Sequence, residues 1–147
     1  MRSLPSLSLL LVLALTACGG IEFLDKGEGY SPGRDPLVEA HFERLLVADG
    51  IAYQRDFEGM YRAIKRYQQN DLERAGERAR QLDPARESLK VNPGCAADRL
   101  RNYLDESGAL YVVTRDSGDG WVQMTESDFT RLSVAEHFEQ YRQDCAN

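Results

Sequence analysis

Two histidines and a surplus of carboxylates are the groups best equipped for chemistry in this 147-residue chain. Both histidines stand in the same tripeptide, His41-Phe42-Glu43 and His137-Phe138-Glu139. If the segments carrying them pack side by side, His41 and His137 could share a divalent metal or act as an acid–base pair. Glu39, Glu43, Glu136 or Glu139 would then be additional ligands. A triplet match of this kind also arises by chance about once in a chain of this length, so the competing reading is two half-buried histidines with no site. The second group is aromatic. Tyr53, Tyr111 and Trp121, with Tyr61, Tyr67 and Tyr103, could line a groove for a peptide or glycan, or could pack a core. Trp121 opens a strand beside a turn and is the leading candidate for a partner contact, followed by Tyr111 and Tyr53.

Motifs that would name a reaction are missing. There is no Gly-x-Ser-x-Gly elbow, phosphate-binding glycine loop or His-Glu-x-x-His helix. The turn Asp116–Gly120 fails as a calcium loop: with Gly120 as the invariant glycine, the first position is Arg115 and the third Ser117. No cofactor is expected, and binding without catalysis is the favoured reading.

The elements that would position these residues follow from apolar periodicity and turn chemistry. Asp35-Pro36 opens a helix with Leu37, Val38, Phe42, Leu45 and Leu46 at helical spacing, and Gly50 ends it. Residues 51–55 and 60–64 alternate as two strands around Asp56-Phe57-Glu58-Gly59, although Phe57, Met60, Tyr61, Ile64 and Tyr67 also fit a helix. A second helix runs from Asp71 to about Leu82, residues 84–94 form a connector, and a third helix runs from Cys95 to about Glu106. Ala109–Thr114 and Trp121–Met124 make a second hairpin. A final helix follows the capping-box pattern Ser133-Val134-Ala135-Glu136. The order predicts a small α+β domain built from helix-hairpin-helix units. Leu46, Gly50 and Tyr53 match Leu104, Gly108 and Tyr111 at one constant offset, which coincidence or a duplicated pair of units would equally produce. A duplicated pair could join its hairpins into a four-stranded antiparallel sheet with helices on one face, leaving the other free for a partner.

The amino terminus carries the most specific signal. Arg2 is followed by an apolar run, Leu4 to Thr16, and no further charge appears until Glu22. The run is shorter than the roughly 20 residues of a spanning helix. It ends in Leu15-Thr16-Ala17-Cys18, an aliphatic residue and two small ones before cysteine. This tetrapeptide resembles the lipobox of bacterial lipoproteins. The resemblance covers residues 1–18 only, and the family of the mature domain is not identified. It implies that residues 1–17 are a signal peptide, that Cys18 carries acyl chains such as palmitate, that 18–34 form a tether, and that 35–147 form a periplasmic domain. One acyl chain holds a protein marginally, whereas two or three make a durable anchor. Gly19 stands where an aspartate would retain such a protein in the inner membrane, which implies the outer membrane; the inner membrane and the cell surface stay open.

With Cys18 assigned to lipid, Cys95 and Cys145 remain as a pair in an oxidising compartment. A disulfide is the default there, and a redox or metal pair is the alternative. Loss of the leader, whose only charge is Arg2, takes the net charge from −6 to −7. That acidity disfavours nucleic acid and anionic lipid as partners. The expected partners are the membrane, through the anchor, and another envelope or secreted protein. The concrete versions are an immunity or inhibitor lipoprotein against a periplasm-acting toxin or hydrolase, and an accessory subunit. The rival is an enzyme using His41 and His137.

Overall fold

The computed structural model describes residues 29–116 and 119–146. The segment expected to be a signal peptide, and Cys18, lie outside the described residues. Helix α1 spans Pro36–Ala48; the Asp35 side chain accepts a 2.8 Å hydrogen bond from the Leu37 amide, and Pro36 fills the first helical position. Helix α3 spans Cys95–Glu106. The two helices end identically. Gly50 and Gly108 take φ of +66° and +67°, a conformation that costs glycine least. Their amides donate to Val47 and Asp105, while the next amides, of Ile51 and Ala109, reach back to Leu46 and Leu104 at 2.9 and 3.0 Å. These are paired Schellman caps, each sealed by an apolar contact. Each directs the chain into a strand that begins with tyrosine: β1, Tyr53–Arg55, and β4, Tyr111–Asp116.

Strand β2, Tyr61–Ala63, pairs antiparallel with β1, Tyr53 opposite Ala63 and Arg55 opposite Tyr61. Residues 57–67 are therefore a hairpin followed by a 3₁₀ turn, Arg66–Gln68, before α2, Gln69–Ala79. The expected connector at 84–94 contains a strand instead, β3, Arg86–Val91. Its two apolar residues, the half-buried Leu89 and the buried Val91, are too few to announce it. It pairs with β5, Asp119–Thr125, from Arg86 opposite Thr125 to Val91 opposite Gly120, giving the order β3-β5-β4. A Cβ at Gly120 would lie 2.7 Å from the Val91 carbonyl oxygen, so β3 approaches β5 where only glycine fits.

The domain is thus α+β with two antiparallel sheets, of two and three strands, in place of one four-stranded sheet. One outer edge of each hairpin is taken by another segment, while β1 and β4 remain edge strands of separate sheets. β3 occupies the far side of β5, and Tyr30 occupies the far side of β2 through reciprocal bonds with Tyr61 at 2.9 and 2.8 Å. The chain is therefore packed on the domain from Tyr30, ahead of the expected boundary at Asp35, and Pro32 is buried as well.

Each sheet has its own buried cluster. Phe42, Leu46, Tyr61 and Leu72 lead the first; Leu100, Leu104, Val122 and Met124 lead the second. The halves are joined by α1, which rests on β4. The Arg44 guanidinium donates to the carbonyls of Gly108 and Ala109, both at 3.2 Å, and Arg86 pairs with Asp35 at 2.9 Å. Arg86 shares a face with Trp121 in the alternating pleat, so the start of α1 occupies part of the face expected to be free. Helix α4, Glu126–Arg131, is capped by Thr125, and α5, Val134–Ala146, follows a turn in which Ser133 is left-handed at φ +46°, away from the extended geometry of a capping box. Cys95 and Cys145 form a disulfide, with Cα atoms 6.0 Å apart, joining the start of α3 to the end of α5.

Two outcomes are expected in unfolding experiments. Replacing both Cys95 and Cys145 by alanine removes a closure of 50 residues and lowers stability by about 4 kcal/mol in the chain-entropy account. Gly76 tests the Tyr30 seat: a Cβ there would lie 2.1 Å from the Tyr30 ring. Gly76→Ala therefore destabilises the intact chain, yet stabilises a Tyr30→Ala chain by up to about 1 kcal/mol through helix propensity. The same sign in both backgrounds would show that Tyr30 does not occupy that seat.

Candidate binding surface

The expected site residues do not converge. Glu39 and Glu43 lie one turn apart on α1, and His41, two residues from each, points to another side of the helix. His41 lies beside Arg44 and Arg78. Burial, then those two cations, lower its pKa. His137 lies tilted against the Tyr103 ring, centroids 4.3 Å apart, on the other half of the domain, and Glu139 pairs with Arg142 at 2.9 Å. Among the described residues no group of three or more His, Cys, Asp or Glu side chains is placed to hold a metal.

The three leading aromatics are also separated. Tyr111 pairs across from Met124 and packs on the second core, whereas Trp121 pairs across from Thr114 and projects from the opposite face. The Tyr111 hydroxyl donates to Asp105 at 2.8 Å; burial and that carboxylate push its pKa up to about 12. Tyr53 is half-buried in the first half, its ring 5.6 Å from that of Tyr61.

What the fold does present is an apolar rim on the first half. Val47, Ile64 and Tyr67 are 73%, 51% and 75% exposed. The segments that carry them meet at the α1 cap. Gly50 donates to Val47, Ile64 donates to Ala52 at 2.9 Å, and the Gln68 side chain donates to the Gly50 carbonyl at 3.4 Å. Beside this junction lies an open groove of about 660 Å³, with Ile51 and Gln68 on one side and Asp71, Arg74 and Arg78 of α2 on the other. Arg74 pairs with Asp71, and Arg78 with Asp49, each exposed pair contributing little stability, and Glu77 adds a further carboxylate to the lining. Gln68 Oε1 is buried with no hydrogen-bond partner.

The hairpin that supports this rim is built on Tyr61. Its ring is fully buried, edge-on to Phe42 at 5.0 Å, with the Arg55 guanidinium 5.2 Å from its centre. Its hydroxyl lies 2.7 Å from Glu39 and 2.6 Å from Glu43, and Arg55 reaches Glu39 at 2.6 Å. One hydroxyl hydrogen thus serves two carboxylates, one of them already paired with a cation. Burial, then both carboxylates, push the Tyr61 pKa far up. At the other end of the hairpin, Asp56 ties the turn, accepting from the amides of Glu58 and Met60 and from Arg62. The Met60 amide is the largest of the influences that lower the Asp56 pKa. Phe57, between these anchors, is 97% exposed.

Sequence reasoning ranked the half-buried Trp121, Tyr111 and Tyr53 first, named Tyr67 only among the further aromatics that could line a groove, and did not consider Phe57 or Ile64 as contacts. The available signal was Phe57 itself, a large apolar residue in a turn otherwise made of Asp56, Glu58 and Gly59. No protein-family model, curated protein or solved structure matches this chain.

Tyr61 and Tyr111 both hold their protons more tightly folded than unfolded. The stability this confers is complete below about pH 10, the ordinary tyrosine value, and drains away as pH rises beyond it. Tyr61→Phe is expected to lower stability at pH 7 by about 2 kcal/mol, through the lost bond to carboxylate, and to flatten the alkaline decline in denaturant unfolding. An unchanged slope would remove the hydroxyl from that role.

Proposed function

We propose that this chain is a lipoprotein held at the periplasmic face of the outer membrane through Cys18, and that its domain works by binding another envelope or secreted protein without catalysis. The observation that carries the binding role is the rim of Val47, Ile64 and Tyr67, three large apolar side chains left exposed on segments that meet at the α1 cap. An exposed tyrosine flanked by aliphatic side chains is the composition of interface anchors, which concentrate binding energy in a few residues. The acidic net charge suits a partner with a basic surface. An immunity or inhibitor lipoprotein that neutralises a periplasm-acting toxin is the concrete form of this reading. The matching caps at Gly50 and Gly108 support a duplicated helix–cap–strand unit as its origin. Among the described residues no helix is long and apolar enough to cross a membrane, and the proposed attachment rests on the lipobox.

The test uses protein captured with its partners from envelopes of the native host. Ile64→Ser with Tyr67→Ala is expected to reduce partner recovery about thirtyfold, the effect of losing about 2 kcal/mol at an anchor residue. Thermal stability should barely move, since both side chains are exposed. Full recovery by the double variant would refute this rim as the binding surface. Cys18→Ser is expected to move the protein from the membrane to the soluble fraction.

A further inference from the structure

We propose that the β1–β2 hairpin tip is a second membrane contact, with Phe57 seated at the interface of the bilayer that carries the lipid anchor. This rests on the reading of Cys18 as the acylated residue.

The argument begins with where the chain joins the domain. Tyr30 is fixed against β2 by its reciprocal bonds to Tyr61, and its ring lies against Phe42, with the Arg80 guanidinium 5.4 Å from its centre. Gly29, the residue before it, lies so close to the hairpin turn that a Cβ would fall 2.6 Å from the Cβ of Met60. Met60 closes that turn, its carbonyl accepting from the Asp56 amide at 3.0 Å. The chain coming from Cys18 therefore meets the domain at the turn that displays Phe57.

The chain from Cys18 to Gly29 cannot span more than about 40 Å, whatever its conformation. A domain of this size is about 35 Å across. A fully extended segment of that length would let other sides reach the bilayer too, but the side bearing Gly29 and the hairpin turn is the one that reaches it with the least chain drawn out. There the domain presents a phenylalanine that is 97% exposed, on a turn whose Asp56 is already paired with Arg62. Aromatic rings favour the headgroup level of a membrane, and a ring in water gains by burial there. With no excess of cations at the tip, a zwitterionic surface is the matching one.

The experiment uses the protein as purified from its native host, carrying Phe57→Trp and Trp121→Phe so that residue 57 is the only tryptophan. It is reconstituted into phosphatidylcholine vesicles with brominated acyl chains, and its amino-terminal peptide is weighed by mass spectrometry. The expected result is an acylated Cys18 together with blue-shifted emission that the brominated chains quench by about half, as for a ring at headgroup depth. An acylated Cys18 with unquenched emission would overturn the tip contact and leave the anchor standing. A Cys18 free of lipid would overturn both. A blue shift that grows with protein concentration in vesicle-free solution would assign the tip to a second copy of the chain, and overturn the proposal.

Discussion

The hydroxyl of Tyr61 lies between two carboxylates of the same helix, and the N-terminal half is organised by how that charge is managed. Glu39 and Glu43 would repel one another on one face of α1. Tyr61 gives them a shared donor, and Arg55 neutralises Glu39 from the next strand. The same residue offers its backbone to Tyr30 and its ring to Phe42 and Tyr53. Helix, hairpin and incoming chain are thereby fixed by one side chain that is itself fully buried. The short strands β1 and β2 would be marginal alone, and packing of this kind is what a two-stranded sheet requires.

The second half is secured differently. Its three-stranded sheet supplies a longer ladder, and the disulfide holds α5 against α3. Arg44 connects the halves by donating to carbonyls just beyond the end of α3, where the helix leaves partial negative charge. With α1 shared between its own core and β4, the two clusters sit on either side of one helix rather than merging. The apolar rim and the hairpin tip both project from the half stapled by Tyr61, so the surfaces proposed to meet a partner and a membrane share one support.

Much of the order of elements was legible in the chain. Asp35-Pro36, Gly50 and Gly108 mark helix ends because capping depends on a residue's own donors and φ preference, which neighbours in sequence supply. The hairpin at 109–125 followed from alternation around a polar turn, and the pairing of Cys95 with Cys145 followed once Cys18 was set aside. β3 was not legible. With glutamate, serine and lysine at Glu87, Ser88 and Lys90, it is a strand because β5 offers an unpaired edge, and Gly120 lets it approach.

The sequence alone determined where α1 and α3 start and stop and which two cysteines join in the domain, and it carries the lipobox-like tetrapeptide on which the proposed attachment rests, because these depend on residue type and local spacing. Only the tertiary structure decided that Tyr30 closes one sheet and β3 the other, that Trp121 and Tyr111 face opposite ways, that His41 turns from Glu39 and Glu43, and that Val47, Ile64 and Tyr67 are left exposed on segments that meet at the α1 cap. Those outcomes are set by which edges and faces remain unoccupied once the cores are packed. That competition among distant segments leaves no local trace in the order of residues.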